Sequence, residues 1–127
     1  MTIQGYKRLA VALGIVCVGL LVMSGCLFWH CGSQAVRIAF ASEQTQIFDE
    51  MRTRALQSDT SGAAGYLEYV VVYYPSGTKQ EPGSPLDRIV ERERAQAARD
   101  IIAYLRAKTG EDLGEKPEAW IQKYVKR

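Results

Sequence analysis

Two short motifs place serine, threonine and lysine at spacings found in serine acyl-transfer enzymes. Ser76 and Lys79 form an S-x-x-K motif, and Lys108 to Gly110 form a K-T-G motif. Such an enzyme uses the serine as the nucleophile, activated by a neighbouring base, and combines these motifs with an S-D-N-like motif. Here no S-x-N lies between them, and S-x-x-K falls in a segment rich in proline and glycine. An enzyme built on the Ser76/Lys79 loop is therefore only the alternative hypothesis.

The other common catalytic and metal-binding patterns are not formed. The only histidine, His30, lies beside the apolar N-terminal run and far from any acidic residue in sequence. The rest of the chain therefore has no histidine base for a Ser-His-Asp or Cys-His arrangement. An acidic group near Gly114 lacks the D-x-D-x-D-G order of a calcium loop; it consists of Glu111, Asp112, Glu115 and Glu118. We expect no cofactor and no metal, and a non-enzymatic role is favoured.

The segment before and within the proline- and glycine-rich loop is the best candidate for a binding site. Two aromatic rings beside hydroxyl, ammonium and amide groups could hold a peptide or an anionic group. The competing interpretation is an ordered loop that fixes how two helices pack. Trp120 could likewise be an exposed binding anchor or, as the pattern favours, a filler of the core. The candidate binding residues are Tyr73, Tyr74, Ser76, Thr78, Lys79, Gln80 and Trp120.

The element that positions the whole chain is an apolar run from Leu9 to Trp29. These 21 residues follow Lys7 and Arg8 directly, and no charged residue occurs again before Arg37. A helix of this length spans about 30 Å, the thickness of the hydrocarbon core of a bilayer. The positive-inside rule keeps the tail 1–8 in the cytoplasm. The sequence therefore predicts a transmembrane helix over 9–31 and an extracytoplasmic remainder.

The stretch from Val22 to Cys26 also fits the loose pattern of a bacterial lipoprotein signal. Acylation of Cys26 after cleavage would replace the helix by a lipid anchor. The apolar run continues through Leu27, Phe28 and Trp29, whereas lipoproteins usually turn polar soon after the cysteine. The uncleaved helix is therefore favoured. Cys31, just beyond the run, could cross-link two copies.

Residues 33–127 are long enough for one small domain. This part carries 14 basic and 14 acidic residues, because Lys7 and Arg8 account for the whole net charge of +2. A neutral domain without basic runs has no general attraction to nucleic acid. Its cysteine-free sequence holds no disulfide framework.

Apolar spacing predicts an all-α fold of three or four helices after the membrane segment. A juxtamembrane helix over 33–58 would bury Val36, Phe40, Ile47, Met51 and Ala55, with Phe48 alongside. It could continue from the membrane helix with only a bend at Gly32-Ser33. A break follows at 58–62, and the small helical domain extends over 59–127.

Tyr66 to Tyr74 has the residue types of a strand but the i, i+3, i+4, i+7 spacing of a helix. The chain has no second strand-like run to pair with it, so we predict a helix that Pro75 ends.

The next helix has the clearest signals. Ser84 caps it, Pro85 occupies its first position, Asp87 completes a capping pattern and Gly110 ends it. Its predicted buried stripe is Leu86, Ile89, Val90, Ala97, Ile101 and Leu105, and Arg88, Arg92, Arg99 and Arg106 face water. A short terminal helix begins at Pro117, with Trp120, Ile121 and Tyr124 on one face.

Two segments of the C-terminal half resemble a group of uncharacterised small bacterial membrane-anchored proteins. These segments read Y-Y-P-S-G-T-K-Q over 73–80 and T-G-E-D-L-G-x-x-P-x-x-W over 109–120. The resemblance implies a helical protein of the bacterial cell envelope and carries no activity or ligand. We therefore expect a single-pass, membrane-anchored interaction or scaffold module, whose partner is a second copy or another envelope protein.

Overall fold

The structure, a computed structural model, describes residues 3–73 and 75–125. These residues form four α-helices and no strand, which confirms the expected all-α class. The helices are α1 (Ile3–Leu56), α2 (Thr60–Val72), α3 (Pro85–Thr109) and α4 (Pro117–Tyr124). The chain divides into two units, one up to Val36 and a domain from Arg37 onward.

In the first unit, α1 is apolar and exposed on all sides. Its most apolar stretch is long enough to cross a membrane, and none of that stretch is buried. Side chains such as Leu21 and Phe28 therefore present their apolar surface outward. Within the part of the chain that the structure describes, nothing covers this surface.

α1 runs without interruption through Gly32-Ser33, where the sequence allowed the juxtamembrane helix to continue from the membrane helix. Ser33 Oγ donates to the His30 carbonyl oxygen at 2.8 Å, the bond by which serine is accommodated inside a helix. The helix ends at Leu56, before the predicted Ser58. The amides of the next two residues instead close tight turns onto the carbonyl groups of Arg54 and Ala55.

The core of the domain combines the later part of α1 with the other three helices. α2 packs against both α3 and α4, and α3 also contacts α4. Trp120 is 0% exposed and fills this core, as the sequence favoured, and its Nε1 donates to the Gly114 carbonyl oxygen at 2.9 Å. The other large, fully buried side chains are Phe48, Leu67, Val70, Val90, Ile101, Ile102 and Leu105.

The buried stripe of α1 differs from the predicted one. Phe48 and Ala55 are buried as part of it, but Val36 is 53% exposed. Ala41 and Gln44 are buried in its place. An apolar pattern could not reveal this register, because the stripe includes Gln44. Its side-chain oxygen accepts a hydrogen bond from Gln80, which is far away in the sequence.

The prediction of a helix around Tyr66 is confirmed, but its bounds shift. The helix begins at Thr60, inside the predicted break, because the Asp59 side chain accepts a hydrogen bond from the Gly62 amide at 2.8 Å and caps it. It ends at Val72, since Tyr73 is already in an extended conformation. Leu67 and Val70 are buried, in agreement with the helical spacing.

Both ends of α3 lie where they were predicted, but the Ser84 amide donates to the Glu81 carbonyl oxygen and not to the Asp87 side chain of the expected capping pattern. Ser84 Oγ accepts from the Asp87 amide, and Gly110 ends the helix with a φ of 72°. The predicted stripe is wrong at Ile89, which is 49% exposed, and it omits the fully buried Ile102. Successive helical residues are about 100° apart around the axis, so Ile89 lies to one side of the face that contains Val90.

Candidate functional site

Asp87 organises the loop between α2 and α3. Its carboxylate accepts hydrogen bonds from Ser76 Oγ at 2.6 Å, from the Gly83 amide at 2.8 Å and from the Gly77 amide at 3.2 Å. Asp87 is only 4% exposed. These donors, led by the Ser76 hydroxyl, lower the pKa of the Asp87 carboxyl below its ordinary value. One buried carboxylate therefore holds both ends of the loop.

The loop turns at a glycine that no other residue could replace without strain. Gly77 has a φ of 80°, a left-handed conformation that disfavours residues with a Cβ atom. A Cβ atom there would also lie 2.6 Å from Cγ of Pro82. The glycine thus allows the chain to pass close to Pro82 while its amide points at Asp87.

Two loop residues attach the loop to α1. Gln80 is buried, and its Nε2 donates to Oε1 of Gln44 at 2.7 Å. The Lys79 ammonium lies 4.5 Å above the centre of the Phe40 ring, a cation–π contact. Thr78 closes a local turn, donating from Oγ1 to the Pro75 carbonyl oxygen at 2.7 Å.

The beginning of the loop is held by an arginine of α3. Arg94 donates to the Tyr73 carbonyl oxygen at 2.9 Å, and its guanidinium lies 5.3 Å from the centre of the Phe48 ring. The Tyr73 ring meets Phe48 edge-on at 6.2 Å and stacks on Tyr69 at 4.9 Å. Arg94 also pairs with Glu91. This cluster joins the end of α2 to α1 and α3.

The candidate loop residues are thus brought together, mainly by contacts that stabilise the fold. Ser76 bonds to Asp87, Lys79 lies over Phe40, and Gln80 bonds to Gln44. Tyr74 lies outside the described residues. Trp120 belongs to the core rather than to this loop.

The geometry around Ser76 gives little support to nucleophilic catalysis. A serine nucleophile needs a neighbouring base that accepts its proton. The acceptor here is Asp87, and a carboxylate with a lowered pKa is a weak base. Thr109 of the K-T-G motif donates instead to the Leu105 carbonyl oxygen at the end of α3.

Three of the four acidic residues near Gly114 are engaged in ion pairs. Arg106 contacts Asp112 and Glu115, each at 3.0 Å, and Lys123 contacts Glu111 at 2.6 Å. Among the described residues, no group of three or more histidine, cysteine or acidic side chains is arranged to hold a metal ion.

Cys26 lies inside α1, in the exposed apolar unit. It is a free, exposed thiol, as are Cys17 and Cys31. The helix continues for several turns beyond Cys26. The proposed lipidation of Cys26 remains a prediction.

A second feature, a cleft between α2 and α4, was not expected from the sequence. It has a volume of about 640 Å³ and a largely apolar floor. Val72, at its edge, is 68% exposed. The only sequence signal was the run of three valines, since a helix that packs on one face must leave one of them outside. The lining residues are Glu68, Val71, Val72, Glu118, Ile121, Gln122 and Val125.

Comparison of the chain with protein-family models, with curated proteins and with solved structures gives no match.

Proposed function

We propose that this chain is a membrane-anchored, non-enzymatic interaction module of the bacterial cell envelope. The observation that carries the proposal is the contrast between the two units. The first is a helix whose apolar surface is not covered by any residue that the structure describes, and the second is a small domain with its own buried core. A helix of this kind is stable in lipid, where the surrounding hydrocarbon covers its side chains.

The domain supports a binding role more than a catalytic one. The loop between α2 and α3 carries the hydroxyl, ammonium and amide groups that could bind or react. These groups contact Asp87, Gln44 and Phe40, so they serve to fix the fold. The cleft between α2 and α4 instead leaves apolar surface accessible. Exposed apolar surface edged by polar groups is typical of protein interaction sites.

The proposed orientation follows from the basic residues at the N-terminus. Lys7 and Arg8 precede the apolar run and favour retention of the tail in the cytoplasm. The domain from Arg37 onward would then lie outside the cytoplasm. The resemblance that the sequence suggests for segments 73–80 and 109–120 would imply the same compartment.

Chemical cross-linking in intact native membranes, followed by mass spectrometry, tests this proposal. We expect cross-links from the domain to a specific partner, either another envelope protein or a second copy. The control is the same chain with Val18→Arg and Leu21→Arg, which should leave the membrane and lose these links. A domain that forms no cross-link in native membranes would contradict the interaction role.

A further inference from the structure

We infer that the α2–α4 cleft binds the exposed basic face of α3 from a second copy of the chain, so that copies associate head to tail. This inference rests on the proposed function and names the partner of its interaction surface. The two surfaces belong to different elements of one domain. The first surface is an apolar cleft with carboxylates, and the second is an exposed helix face with an isoleucine and arginines.

The cleft offers an apolar floor and acidic groups. Val71, Val72, Ile121 and Val125 provide the floor, and Glu68 and Glu118 provide the carboxylates. Glu118 is exposed, and no ion pair with it is found among residues 3–73 and 75–125. Binding in the cleft would therefore favour an apolar side chain that is accompanied by a cation.

The first turns of α3 present that combination. Ile89 is 49% exposed although its position in the sequence suggested burial. Arg88 and Arg92, one residue before it and three after it, are exposed as well. Neither guanidinium forms an ion pair with a residue that the structure describes. Glu93, four residues after Ile89 on the same side of the helix, is exposed as well, so this face carries two arginines against one glutamate and remains basic. An isoleucine flanked by two arginines matches the chemistry of the cleft.

The contact is between unlike surfaces, so it is heterologous. A heterologous contact uses the cleft of one copy and the basic face of the other. It leaves one basic face and one cleft free, which permits rings or open chains. A single contact of this size would be weak in solution. Two copies confined to one membrane have a raised effective concentration, and a weak contact then suffices.

Cysteine cross-linking of the full-length chain in membranes tests the pairing. Cys17, Cys26 and Cys31 are first replaced by serine. One tagged copy carries Val72→Cys and a second, differently tagged copy carries Ile89→Cys. With a short bismaleimide we expect the mixed pair to cross-link at least five-fold more than either residue with itself. In the control, the second copy carries Leu56→Cys in place of Ile89→Cys. Leu56 lies in α1 and is 43% exposed, similar to Ile89.

Charge reversal then tests the proposed complementarity. Glu118→Arg in the copy with Val72→Cys should reduce the mixed product several-fold. Arg88→Glu with Arg92→Glu in the other copy should restore it. Glu43→Arg, at an exposed site on α1, is the control for a charge change outside both surfaces.

Two results would overturn the inference. One is a mixed product no stronger than the Leu56 control, and the other is a product that charge reversal at Glu118 leaves unchanged. If either result is obtained while the chain still cross-links to a different protein in native membranes, only the head-to-tail contact is rejected. Loss of every cross-link in native membranes would reject the proposed function as well.

Discussion

At the scale of single residues, Asp87 decides the conformation of the longest loop. Its position looked like part of a capping pattern at the start of α3, and Ser84 does cap the helix. The Asp87 carboxylate, however, bonds to Ser76, Gly77 and Gly83 rather than to the helix start. The sequence pattern indicated a role for Asp87 only at the start of its own helix. In the structure it stabilises the loop around Ser76 and Gly77, about ten residues earlier.

Asp87→Asn tests this role. An asparagine has one carboxamide oxygen to accept hydrogen bonds, and its NH₂ group would face the donors of the loop. We expect the free energy of unfolding to fall by about 2 kcal/mol, since hydrogen bonds to a buried charge are lost. Urea unfolding of the full-length chain in micelles would measure it, with Trp120 fluorescence in a Trp29→Phe background. Glu93→Gln, on an exposed part of α3, should change it by less than about 0.5 kcal/mol.

The stabilisation by Asp87 should depend on pH. The folded state lowers the pKa of this carboxyl, so its contribution is complete above the unfolded pKa of about 3.9 and is lost as the pH falls through the folded value. The difference in unfolding free energy between wild type and Asp87→Asn should shrink between pH 5 and about pH 2. The lowered pKa values of Glu111 and Asp112 affect both proteins equally and cancel in this difference. A difference that stays constant over this range would contradict the assignment.

At the scale of helices, burial depends on register as well as on residue type. Ile102, which the predicted stripe omitted, is 1% exposed, whereas Ile89, which the stripe included, lies at the surface. Ile102→Ala should lower the free energy of unfolding by about 3 kcal/mol because it leaves a cavity. Ile89→Ala should cost less than about 1 kcal/mol in dilute micelles. Equal losses for the two variants would contradict the register of α3.

Two glycines should respond in opposite directions to the same substitution. Gly65 lies inside α2 with nothing within 4 Å of a Cβ atom built on it, so Gly65→Ala should stabilise the protein by about 0.5 kcal/mol. Gly110 ends α3 in the left-handed conformation, so Gly110→Ala should destabilise it by about 1 kcal/mol. Thermal unfolding of both variants provides the measurement. A stabilising Gly110→Ala would show that α3 does not end in this way.

At the scale of the whole molecule, we expect the apolar surface of α1, which no described residue covers, to bring the chain to a membrane. Two arginines in the middle of the run, Val18→Arg and Leu21→Arg, should prevent membrane insertion, because each costs about 3 kcal/mol at the centre of a spanning helix. In a flotation gradient, the variant should stay at the bottom while wild type rises with the lipid. Leu56→Arg, on the same helix but within the domain, should still float. Flotation of the double variant would exclude a spanning role for this stretch.

The sequence by itself determined the features that depend on local chemistry. Three such features arise from residues that are close together in the chain. They are the apolar run, the cap and left-handed end of α3, and the helical spacing around Leu67 and Val70. Trp120 could also be placed in the core, because its helix has only one apolar face. These signals suffice for an all-α fold with a long apolar helix at the N-terminus.

Only the tertiary structure decided the features that join distant residues. The burial of Gln44 depends on Gln80, 36 residues later, and the role of Ser76 depends on Asp87. The cleft exists because α4 packs beside α2 and leaves Val72 outside. Hydrogen bonds and clefts of this kind form between elements, so no periodicity along one element can reveal them. Their physical basis is that a buried polar group must find its partner wherever the fold brings one.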